Sequence, residues 1–168
     1  MKNWIHNCKI LGFIIASLLT FGACQDGVLY EKTQEIHNGI WSYKDTLAFA
    51  FTPPDTTTRY DISLNITHTG AYPNQNIYTK VHTIYPDKSR KTQILSFDLA
   101  ENSGAWYGTK SWFSDTYTCE YLMQKGIFFP TKGTYGMVIE QYSRESELKN
   151  INAVEVIVEK SIPSKETK

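Results

Sequence analysis

Tyr60-Asp61-Ile62-Ser63-Leu64-Asn65-Ile66-Thr67 alternates large apolar with polar residues without a break. Successive side chains of an extended chain point to opposite faces, so Tyr60, Ile62, Leu64 and Ile66 meet a core while Asp61, Ser63, Asn65 and Thr67 meet water. A strand with one dry and one wet face belongs in an antiparallel sheet. Working outward, the same period recurs. Leu47, Phe49 and Phe51 share a face before Thr52-Pro53-Pro54-Asp55, where proline ends the ladder. Leu95, Phe97 and Leu99 follow the turn signal Pro86-Asp87-Lys88 and pair as a hairpin with Ile77 to Tyr85, a run with apolar residues on both faces. Tyr135, Met137 and Ile139, and later Val154, Val156 and Val158, carry the pattern towards the C-terminus, and Val28 to Gln34 supplies a first strand before an Asn38-Gly39 turn. Tyr117 to Met123 and Ile127 to Phe129 add strand signal cut by Lys125-Gly126, and Arg144 to Asn150 alone has helical character. About eight short strands without an intervening helix pattern predict an all-β fold, a single-domain antiparallel β-sandwich of jelly-roll type. The domain is expected over residues 28–160, with a polar tail at 161–168; a closed barrel is the competing architecture.

The composition agrees with strands. Aromatic residues make up 14% of the chain, with eleven tyrosines and four tryptophans, types that fit a pleated, half-buried surface. Seventeen basic residues balance seventeen acidic ones, and such a chain offers no strongly basic face to nucleic acid. Ahead of the strands lies a different texture: an apolar run from Ile10 to Phe21, Lys2 and Lys9 on its N-terminal side, and Phe21-Gly22-Ala23-Cys24 at its end. The run is too short for a stable span and suits a signal-peptide core. Residues 1–23 therefore read as a lipoprotein signal peptide, Cys24 as the lipidated first residue of the mature protein, and 24–27 as a short tether. Such a lipid supplies stable membrane attachment without a spanning helix. Cys8 departs with the leader and Cys24 takes the lipid, which leaves Cys119 alone and no disulfide framework.

A search for chemistry finds little. His37, His68 and His82 have no spacing that sets two ligands on one element, so no metal site is expected, and no phosphate loop, dinucleotide fingerprint or nucleophile elbow predicts a cofactor or catalytic residue. His68 and His82 read as ordinary surface or hydrogen-bonded histidines. Thr118 and Glu120 do not activate a thiolate, so Cys119 reads as a small buried residue. Asp98 and Glu101 could mimic a carboxylate pair, but a solvated strand end explains them more simply. The chain is read as not an enzyme. The better binding candidate is Trp106, Tyr107, Trp112 and Phe113, between Glu101 and Asp115, in a stretch expected to be an extended loop or irregular edge. Exposed, these rings could stack on sugar or fill a partner's pockets; otherwise they cover the end of the core.

The order of several segments resembles the gliding-motility lipoprotein family GldH of the Bacteroidota. The segments are Trp41 ahead of Phe49 and Phe51, Tyr72-Pro73-Asn74-Gln75-Asn76-Ile77-Tyr78, Tyr85-Pro86-Asp87, and Gly104-Ala105-Trp106-Tyr107-Gly108. Phe129-Pro130 with Gly133-Thr134-Tyr135 follows, then Ile139-Glu140-Gln141, Arg144, Leu148, Ile151 and Val154; Glu155 departs from the pattern, where a small residue is expected. The resemblance implies a non-catalytic lipoprotein of the cell envelope, at the outer membrane, whose partners are proteins of the gliding machinery and the linked type IX secretion apparatus. A glycan-binding surface lipoprotein is the alternative that the aromatic cluster motivates.

Overall fold

The computed structural model describes residues 27–162; Cys24 and its leader lie outside them, as does the end of the tail. Among the described residues the chain forms eleven strands: β1 (Val28–Glu35), β2 (Ile40–Ser42), β3 (Thr46–Phe51), β4 (Tyr60–Thr69), β5 (Asn76–Ile84), β6 (Arg90–Asp98), β7 (Thr109–Lys110), β8 (Thr116–Ile127), β9 (Tyr135–Gln141), β10 (Glu147–Lys149) and β11 (Ile151–Lys160). Strands β2, β7 and β10, of two or three residues each, account for the excess over eight. All pair antiparallel, in the orders β1-β11-β4-β8-β7 and β3-β9-β5-β6, with β10-β2 as a separate ribbon.

The two larger sheets pack face to face. On one flank β1 meets β3, where Tyr30 lies 5.6 Å from Phe51 between ring centroids; on the other β6 meets β8 through Phe97 and Tyr121 at 4.7 Å. Between them β4 buries Tyr60, Ile62, Leu64 and Ile66, the alternating set of its sequence, against Phe49, Ile77, Met137 and Ile139 of the opposite sheet. Each fully buried Leu or Ile contributes roughly 1.5–3 kcal/mol of transfer free energy. In β5, Ile77, Thr79 and Val81 take the inner face; His82, on the outer face, is also buried. There its Nδ1 lies 2.8 Å from Thr92 Oγ1 and its Nε2 3.3 Å from a Glu140 carboxylate oxygen, the latter without hydrogen-bond alignment.

Two expectations are corrected. Lys125-Gly126 does not cut the strand: β8 runs unbroken to Ile127, because Gly126 takes φ +62° and donates its N–H to Asp61 Oδ1 at 2.6 Å while the ladder with β4 bulges. Arg144 to Asn150 forms no helix. Gln141 Nε2 donates to the Glu145 carbonyl, Ser143 Oγ does the same, and Leu148 is then paired opposite the fully buried Trp41 in the β10-β2 ribbon. Glu155 lies in the middle of β11, facing outward, where its carboxylate accepts from Thr33 Oγ1 and Asn65 Nδ2 and so links β1, β11 and β4.

The sandwich has two unlike ends. One holds Gly27, whose carbonyl accepts from Lys160 N–H, together with the β3–β4, β5–β6 and β8–β9 connections. The opposite end holds the β4–β5 connection, the Leu99–Gly108 segment, the β7–β8 turn and the β9–β10 loop, and the β10-β2 ribbon closes it.

Candidate functional site

The segment from Leu99 to Asp115 is built around glycine and a buried histidine. Gly108, at φ +81°, lets the chain pass against β8: a Cβ there would overlap the Thr118 carbonyl oxygen and lie 2.9 Å from Cys119 Sγ. That approach leads the chain into β7, which pairs with Thr118 and Tyr117. Just before it, Ala100 and Trp106 form an isolated bridge, and the Trp106 ring lies 4.6 Å from the His68 ring.

His68 is 0% exposed, with Tyr117 stacked at 5.7 Å and Tyr72 tilted against it at 5.9 Å. Its Nδ1 lies 2.9 Å from the Thr69 carbonyl, which assigns the proton to that nitrogen and leaves Nε2, 3.9 Å from Cys119 Sγ, unprotonated. The pair superficially resembles a nucleophile and its base. Its electrostatics run the other way: burial lowers the histidine pKa and raises the thiol pKa, and Cys119 donates its S–H to the Tyr107 carbonyl at 3.3 Å. Thiolate with imidazolium is the disfavoured state, so the two groups pack against each other while each donates its proton to a backbone carbonyl, that of Thr69 for His68 and that of Tyr107 for Cys119. Asp98 and Glu101 are both exposed; Tyr121 Oη donates to the Asp98 carbonyl, and Glu101 accepts from Ser103 within its own turn. Among the described residues no group of three or more His, Cys, Asp or Glu side chains could hold a metal ion.

The four aromatic candidates separate. Trp106 is half-buried over His68, and Tyr107 is partly exposed beside it. Trp112 and Phe113 stand 95% and 99% exposed on the β7–β8 turn. That turn is well tied: Lys110 Nζ lies 3.2 Å from Asp115 and 5.3 Å from the Tyr117 ring centroid, Ser111 N–H donates to the Thr116 carbonyl, and Ser114 and Thr116 hydroxyls lie 2.7 Å apart. Gly70 N–H also donates to the Asp115 carbonyl. Two large apolar rings are thus held out from a fixed scaffold.

At the same end lies a groove of about 800 Å3 that reading along the chain does not reveal. Tyr72, Asn74, Asn76 and Tyr78 form one wall, Tyr142 and Arg144 the other. Tyr142 N–H donates to the Tyr78 carbonyl, and Lys80 Nζ sits 4.4 Å from the Tyr142 ring centroid, fixing the second wall to the first. Rings and amides together are a surface that can stack and hydrogen-bond a polar, planar-faced ligand. The signal available in the sequence was the Tyr72–Tyr78 segment; its meeting with Tyr142 and Arg144 follows from β5 pairing with β9.

The sequence profile of the GldH lipoproteins matches residues 28–157. The chain belongs to the GldH lipoprotein family. A GldH homolog of Christiangramia forsetii, described as a gliding motility lipoprotein, is 26% identical over 155 residues, covering 88% of this chain and 93% of its own. The gliding motility lipoprotein GldH of Flavobacterium johnsoniae is 24% identical over 156 residues, covering 92% and 93%. Among solved structures, a 4-O-methyl-α-glucuronidase with specificity for decorated arabinogalactans aligns with 78% of this chain over 14% of its own length, at 13% identity and a TM-score of 0.39, below the level that shows a shared fold. In this GldH-family chain the segments that carry the family likeness divide between the two ends of the sandwich. Tyr72–Tyr78, Gly104–Gly108 and Gln141 to Arg144 come to the end remote from Gly27, while Tyr85-Pro86-Asp87 and Phe129-Pro130 with Gly133-Thr134 lie in the β5–β6 and β8–β9 connections at the Gly27 end.

Proposed function

We propose that the protein is a lipid-anchored, non-catalytic component of a gliding or type IX secretion assembly, held at the outer membrane through Cys24 and engaging envelope proteins with its remote end. One geometric relation supports this reading: the chain enters the sandwich at Gly27, and the exposed Trp112 and Phe113 stand at the opposite end. The eight residues of β1 alone span roughly 25 Å at about 3.3 Å each, so the rings are carried at least that far from the entry point. Three residues from Cys24 to Gly27 give little reach, so a lipid on Cys24 sets the Gly27 end against the bilayer and the aromatic end away from it. Large, pre-positioned aromatic rings are what a partner's pocket can use, because they bring area at low entropic cost.

Mild crosslinking in cells followed by purification tests the reading. The native chain is expected to bring down envelope machinery proteins, and Trp112→Ser with Phe113→Ser to lose them while staying in the membrane fraction. Recovery of no envelope protein would remove the proposed role.

A second reading, glycan binding, draws on the tyrosine- and amide-lined groove at the same end of the sandwich as the exposed rings. Binding on a glycan array that disappears in Tyr78→Ala or Trp112→Ala would favour it over the first.

A further inference from the structure

A second, smaller cavity of about 280 Å3 opens between the sheets at the Gly27 end, on the flank where β6 faces β8. Its buried lining is apolar: Phe51, Ile62, Phe129, Tyr135 and Met137. Apolar cavities of about 150 Å3 stay dry and accept benzene, so this larger one has room for a longer hydrocarbon. Left empty, its lining forfeits dispersion contacts on one side.

The mouth is different in character. Lys91 lines it, exposed, on the same face of β6 as Leu95 and Phe97, so its methylene stem runs along the cavity and its ammonium reaches the water at the rim. Neither of the two ion pairs found among the described residues involves Lys91. Exposed Phe128 stands beside the opening, with the Arg59 guanidinium 5.7 Å from its ring centroid. A mainly apolar slot with an uncommitted cation at its entrance matches a molecule with an acyl tail and an anionic head.

We propose that this cavity binds one acyl chain of an anionic amphiphile, with Lys91 pairing with its carboxylate or phosphate. The thioether-linked lipid expected on Cys24 has no negative charge to offer Lys91, which favours a separate lipid or fatty acid over the chain's own acyl groups. The inference rests on the cavity and holds whether or not Cys24 is acylated.

The test uses the chain from position 24 onward carrying Cys24→Ser, which retains every described residue and has no lipid of its own. Titration with cis-parinaric acid, a fluorescent fatty acid, is expected to saturate at one per chain. Thr83→Trp and, separately, Gln124→Trp, both at half-buried lining positions, are each expected to weaken binding at least tenfold. Lys91→Glu is expected to weaken parinarate by about tenfold, the size of one partly exposed charge-assisted contact, and to leave displacement by uncharged decanol unchanged. Incubation with phosphatidylglycerol vesicles followed by re-purification separates the two sources: phosphorus that travels with the protein assigns a phospholipid, and its absence beside parinarate binding assigns a free fatty acid. Failure of the unsubstituted Cys24→Ser chain to bind parinarate saturably overturns the proposal, as does binding that both tryptophan variants leave intact in folded protein.

Discussion

Gly108 packs against the backbone of Thr118 with no room for a side chain: a Cβ would overlap the Thr118 carbonyl oxygen and sit 2.7 Å from its carbon. The residue also holds φ +81°, a conformation that side chains other than glycine's rarely adopt. This contact delivers Trp106 to His68 on one side and the Trp112-Phe113 turn on the other.

Gly108→Ala therefore combines backbone strain with a collision that has only backbone to yield. We expect a loss of about 3 kcal/mol or more in urea unfolding, against less than about 0.5 kcal/mol for Gly104→Asn, whose Cβ meets open space and whose positive φ asparagine tolerates. Equal small losses for the two would show that the close approach is not required.

His68 should make the fold sensitive to acid. Burial lowers its pKa in the folded state below the ordinary 6.5, so the unfolded chain binds more protons whenever the pH falls past 6.5. Its contribution is fully present above that value and is lost as the pH drops towards the folded pKa. Thermal unfolding between pH 7.5 and 5.5 is expected to show this loss, with a limiting slope of about 1.4 kcal/mol per pH unit, and His68→Gln to flatten it. A wild-type curve with no slope between pH 6.5 and 5.5 contradicts the assignment.

The tryptophans should divide by burial. Trp112→Ser and Phe113→Ser remove side chains that touch almost nothing, and stability should change by less than about 0.5 kcal/mol. Trp106→Ala removes the cover over His68 and should cost about 2 kcal/mol or more, measured by chemical denaturation. Loss of partner recovery in Trp112→Ser and Phe113→Ser without loss of stability is the signature of a contact surface; a stability loss matching that of Trp106→Ala would return these rings to the core.

The alternation of Tyr60 to Thr67 and of Val154 to Glu159 made the sandwich legible, because a period of two with one dry face leaves few other structures. The same local logic failed where long-range contacts decide. Lys125-Gly126 has turn composition, yet Asp61 across the ladder holds the glycine N–H and the strand continues. Arg144 to Asn150 has helical composition, but Gln141 fastens the loop and Trp41 demands a strand opposite Leu148. The aromatic segment could be recognised as a cluster, not divided into one ring over His68 and two in solvent, since His68 lies far away in sequence on β4. The groove of Tyr72, Tyr78, Tyr142 and Arg144 was unreadable for the same reason: it exists only once β5 and β9 pair.

The most direct test of an anchored adaptor is intact-mass spectrometry of the protein extracted from native membranes. The expected result is a chain that starts at Cys24 and carries the added mass of a diacylglyceryl thioether, with or without an N-acyl group. An unacylated chain that keeps residues 1–23, or one that starts at another position, contradicts it.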